Sequence, residues 1–182
     1  MARIIRIFLR AKHWQIFILL WGTYLAGQIT LIFIIPLGPV AEPKKVGIIA
    51  EAIMLPFFVF FMGWIWSLGS YLYSISEWRL NLNFYVFRFA VCFSALFLLS
   101  GIPFLLSSTE WELEFIAIPV ALFSMCCLLY SILFVAKTLT AVENREAVTS
   151  NEHAKYFILV FAFVIGIWII QPKINRLCAQ NS

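Results

Sequence analysis

AIMLPFFVFFMGWIWSLGSYLYSIS, residues 52–76, is a run of 25 residues without an Asp, Glu, Lys or Arg. A helix needs about 20 such residues to cross the hydrocarbon of a bilayer. Three further charge-free runs surround it: Trp14 to Ala41, Phe89 to Thr109 and Phe115 to Ala136. A fifth, Tyr156 to Pro172, is shorter. At about 1.5 Å per residue it covers roughly 25 Å of a 30 Å core. The expected fold is all-α: an integral membrane helix bundle with four transmembrane helices and a marginal fifth. All of 1–182 forms one transmembrane helical domain, with segments near 14–37, 47–76, 84–107, 114–140 and 152–171.

Composition agrees. Of 182 residues, 63% are hydrophobic and 12% charged, against about 25% charged in soluble domains. A small soluble fold has too much surface per volume to hide this apolar area. Lipid accepts an apolar exterior, and the 19 Phe suit it. The net charge of +4 sits mainly at segment ends. That is a topology signal rather than a nucleic-acid footprint. The apolar run behind Met1–Lys12 is too long for a cleavable signal core of roughly 7–15 residues.

Orientation follows from Lys and Arg. Arg3, Arg6, Arg10, Lys12, Arg79, Arg88, Lys137, Arg145 and Lys155 fall on one side if all five segments cross. Lys44, Lys45, Lys173 and Arg176 fall on the other. The nine should face the cytoplasm, with the N-terminus inside and the C-terminus outside. A fifth segment that dips in and returns would make the split eleven to two. Such a loop needs a break in its middle, and this segment offers only Gly166 there. It is therefore expected to cross, with Lys155 and Lys173 snorkelling to the surfaces. Thr149-Ser150-Asn151-Glu152 reads as a capping box that starts it, and Pro172 helps to stop it. Arg3, Arg6 and Arg10 share one face of an N-terminal segment that suits anionic lipid.

The sequence holds little that could be catalytic. Charged residues inside membrane segments usually mark function, but Glu51 and Arg88 sit where each can reach an interface. His13 and His153 lie at segment ends, which argues against haem held between helices or an intramembrane zinc site. Cys92, Cys126, Cys127 and Cys178 lack metal or redox spacing and read as reduced packing residues. No cofactor, metal or catalytic residue is expected.

Small residues carry more. Gly63, Ser67, Ser70 and Ser74 follow one helical face, flanked by Trp64, Trp66, Tyr71 and Tyr73. Gly22, Ala26 and Thr30 form another. In lipid such faces let helices approach closely, first of all within the chain. Pro56, Pro103 and Pro119 lie in or near helices, where they can introduce kinks.

Gly166-Ile167-Trp168-Ile169-Ile170-Gln171-Pro172-Lys173-Ile174-Asn175, preceded by Ala136-Lys137-Thr138, resembles the C-terminal segment of an uncharacterised family of small multi-pass bacterial inner-membrane proteins. The family's string reads Gly-x-Trp, two apolar residues, then Gln-Pro-basic-Ile-Asn. The resemblance implies a bacterial inner membrane and brings no activity. Physically, Trp168, Gln171, Pro172 and Asn175 are either a docking segment or a helix stop with an interfacial anchor.

The expected function is non-enzymatic: helix–helix contacts with a second copy or a membrane partner, in a lipid bilayer and without nucleic acid. The alternative is a small oligomeric channel or transporter, whose polar pathway would draw on Gln28, Glu51, Ser67, Ser70 and Ser124. A lipid-directed intramembrane enzyme is a third class. A water-filled path to the membrane centre would favour transport, and a dry interior would favour contact.

Overall fold

The computed structural model describes residues 7–9, 11–37, 43–76, 82–99, 111–144 and 152–180. Among these residues the regular structure is helical throughout. The helices are α1 (His13–Leu37), α2 (Pro43–Ser76), α3 (Phe84–Leu99), α4 (Trp111–Asn144), α5 (Glu152–Phe161) and α6 (Phe163–Gln180). The N-terminal Arg3, Arg6 and Arg10, Pro103 and residues 149–151 of the capping box lie outside the described residues, as do the side chains of Lys44, Lys45 and Glu51. By length and composition, Ala52–Ser76 of α2 and Ile118–Glu143 of α4 are long and apolar enough to cross a membrane. For α1 and α3 that expectation rests on the sequence.

α2 is the central helix and packs on α1, α3 and α4, and α4 packs on α2, α3 and α5. Their shared core is aromatic. Phe87 of α3 stacks on Phe134 of α4 with ring centroids 4.3 Å apart, and Tyr73 of α2 stacks on Phe84 at 4.5 Å. Gly69 admits this arrangement, since a Cβ there would stand 2.2 Å from the Phe87 ring. Gly27 does the same between α1 and α2, where a Cβ would lie 2.4 Å from the end of Met54 and 3.0 Å from Ile53. In lipid, where apolar faces gain little by leaving solvent, close approach at small residues is what holds helices together.

The fifth segment departs from the expectation of one crossing helix over 152–171. It breaks after Phe161 and folds back. α5 has 10 residues, about 15 Å, and α6 has 18. Ala162 donates to the Ile158 carbonyl and accepts from the amides of Ile165 and Gly166, which closes one helix and opens the next. Gly166 makes the reversal possible: a Cβ there would lie 1.8 Å from the Leu159 carbonyl oxygen. The consequence is visible at the hairpin's foot, where Lys173 Nζ donates to the Tyr156 hydroxyl at 2.7 Å. A straight helix would hold these residues about 25 Å apart.

α6 runs antiparallel to α1. Phe163 meets Trp21, Trp168 meets Phe17 and His13, and Asn175 meets Ala11. The C-terminal half of α6 therefore lies at the same end of the bundle as the N-terminal segment. A second correction concerns Pro172, which does not stop the helix. It removes one amide from the ladder, but α6 continues to Gln180. Gln171 before it and Ile174 two residues after it are both fully buried.

Candidate functional site

Two polar clusters form where the hairpin meets the rest of the chain. The first centres on Gln171, which is 0% exposed. Its Oε1 accepts from the Trp64 indole at 3.2 Å. Its Nε2 donates to the carbonyls of Phe8 and Ala11 at 3.0 and 3.1 Å, and to Asn175 Oδ1 at 3.2 Å. Asn175 Nδ2 donates to the Ala11 carbonyl at 3.3 Å. A buried amide is costly unless its hydrogen-bonding groups are met. Here α2, α6 and the N-terminal segment meet them jointly. Phe8 completes the dock, packing 3.2 Å from where a Gly63 Cβ would be.

The second cluster joins α4, α5 and α6. Lys173 pairs with Glu143, the Tyr156 hydroxyl donates to the same carboxylate, and the ammonium lies 5.0 Å from the Tyr156 ring centre. Beside it is a cavity of about 210 Å³ lined by Leu139, Glu143, Lys173, Arg176 and Leu177. A larger groove of about 540 Å³ lies among Ile7, Phe8, Ala11, Gln15, Ile16, Leu19 and Phe60.

The residues singled out from the sequence scatter over these features. Gln171 and Asn175 dock, but onto the chain's own N-terminal segment. Trp168, 48% exposed, has its indole against Phe17 and His13. The expected stripe on α2 divides. Gly63 faces Phe8, and Ser67 is buried with its hydroxyl donating to the Gly63 carbonyl. The Ser70 hydroxyl is buried with no hydrogen-bond partner among the described residues, and Ser74 is exposed. Ser124 is buried, and its carbonyl accepts from Ser94 across the α3–α4 contact. Gln28 is half-buried. Among the described residues no hydrogen bond links Gln28, Ser67, Ser70 and Ser124 to one another. No disulfide links the four cysteines; Cys127 is buried, while Cys92 and Cys126 are exposed.

α1 corrects the intramolecular reading of its own small face. Ala26 is exposed and Gly22 half-buried, and a Cβ on Gly22 would touch only Ile18 of the same helix. Gly27, one position past Ala26, takes the internal contact instead. Sequence reading also missed Glu143, Tyr156 and Arg176, which only the fold-back brings together. The signal available for it was the eleven-to-two charge split. No protein-family model, curated protein or solved structure matches the chain.

Proposed function

We propose that this is a multi-pass protein of a bacterial inner membrane that acts without catalysis, through helix contacts made by the outward face of α1. Four helices cross, and the α5–α6 hairpin enters and returns on the cytoplasmic side. Both termini are then cytoplasmic, and eleven basic residues stand against two, a stronger bias than a crossing fifth helix would leave. The helices also expose large apolar side chains broadly, as lipid allows and water does not.

One observation carries the functional reading. Half-buried Gly22 and exposed Ala26 share an apolar face of α1 with the exposed Ile18, Leu25, Ile29 and Phe33. Buried Gly27 and Gly69 and half-buried Gly63 are already used inside the chain. A small-xxx-small pair facing lipid is the geometry by which membrane helices pair. A second copy is the simplest occupant, because a two-fold contact needs only this one face on each chain. The candidate pathway residues Ser67 and Ser124 are engaged in packing contacts, which weighs against the channel reading.

Resonance energy transfer between labelled copies in liposomes tests this. Wild type should associate as the protein-to-lipid ratio rises, and Gly22→Leu should abolish the signal. Its melting temperature should stay within about 2 °C of wild type, since a Cβ at this position meets only Ile18 of its own helix. Transfer that Gly22→Leu leaves intact, or a wild type that never associates, would refute the proposal.

A further inference from the structure

We infer that the cavity at the hairpin's foot binds the phosphate of an anionic phospholipid, with Arg176 as its principal ligand; this rests on the membrane reading above. The cavity joins two unlike surfaces. Leu139 and Leu177 form an apolar wall, and Lys173, Arg176 and Glu143 form a charged rim. Two cations against one carboxylate leave a net charge of +1 on that rim. The carboxylate is already satisfied: Glu143 accepts from both Lys173 and Tyr156. Lys173 is likewise committed to Glu143 and Tyr156.

Arg176 is different. It lies three residues past Lys173 on α6, exposed, with no hydrogen bond or ion pair among the described residues. A guanidinium presents a planar fork of donors matched to phosphate oxygens. The position also favours lipid over a soluble anion. The charged rim borders leucine side chains directly, so an occupant that carries both a phosphate and an apolar chain matches the whole cavity. The Leu139–Leu177 wall would meet the glycerol and upper acyl chain of a phospholipid and nothing of a free phosphate. Glu143 would repel an anion that entered deeper, which keeps the phosphate at the Arg176 side. The fold-back is required, because only it brings α6 against the end of α4.

Native mass spectrometry of the full chain, purified in detergent and titrated with phosphatidylglycerol or phosphatidylcholine, tests the site. Wild type should retain one phosphatidylglycerol in preference to phosphatidylcholine. Arg176→Gln should weaken that first binding by about tenfold, the loss of one charge-assisted contact. Lys12→Gln, a basic residue outside the cavity, should leave it within about twofold. Equal retention of the two lipids, or an Arg176→Gln variant that binds as wild type, overturns the site. Inorganic phosphate that displaces phosphatidylglycerol at matching concentration overturns lipid as the occupant. Flotation with liposomes after an alkaline wash reports separately on the membrane reading, since a protein that fails to float refutes that reading whatever the titration gives.

Discussion

The two ends of the charge-free run in α2 differ in their surroundings. Before Gly63 the helix shows Leu55 and Val59 to the outside; after it, Trp64, Ile65, Leu68 and Leu72 are buried. Both halves are apolar enough for lipid, so hydrophobicity does not distinguish them. The second half differs in having small residues and a polar handle. Gly63 accepts Phe8, Gly69 accepts Phe87, and the Trp64 indole finds Gln171. A helix in this chain gains neighbours where a ring can enter a gap or a hydrogen bond can be closed.

That comparison breaks most severely at Gly166. Gly166→Ala puts a methyl into the Leu159 backbone, which cannot give way as a side-chain tip does. We expect a loss above about 4 kcal/mol, the range reserved for specific structural conflicts. A reporter fused after Ser182 should read cytoplasmic in the wild type. In Gly166→Ala that signal should fall through degradation or shift to the other side. A variant that melts like wild type with an unchanged signal would show that the reversal does not depend on this glycine.

The polar handle comes next. Gln171→Leu keeps the volume but leaves the Trp64 N–H and two backbone carbonyls without this partner. Unmet buried polar groups cost about 1–3 kcal/mol, so a clear drop in melting temperature should follow. Hydrogen exchange supplies the sharper measurement, because residues 7–11 should lose protection while α4 does not. Uniform loss of protection would mean that Gln171 supports the whole bundle rather than the N-terminal dock.

The smallest effect separates two serines of one stripe. Ser67→Leu overfills a buried position and should cost about 1–3 kcal/mol. Ser74→Leu, on an exposed position, should stay within about 0.5 kcal/mol. Parallel melts in one detergent decide it, and equal stability would show that burial does not govern this face.

The helices were legible because the gaps between charged residues locate them within a few residues. The faces of α1 were not legible. The helix carries no amphipathic stripe, so nothing in the sequence ranks Gly27 above Gly22 for the inner contact. The reversal at Phe161–Ala162 was hidden for a related reason. The turn itself contains no Gly or Pro, and the permissive glycine lies four residues further on. Gln171 and Asn175 stood out as polar residues beside an apolar run, but their partners did not. They are backbone carbonyls of Phe8 and Ala11, and every residue has one of those.

The dock between Gln171 and the Phe8 carbonyl spans 163 residues of sequence. A ribosome adds about 5–20 residues per second, so the N-terminal segment waits roughly 10–30 s for the side chain that fixes it. During that interval the Trp64 indole N–H and the carbonyls of Phe8 and Ala11 lack the side chain that later pairs with them. The N-terminal dock is therefore among the last contacts of the chain to close during synthesis.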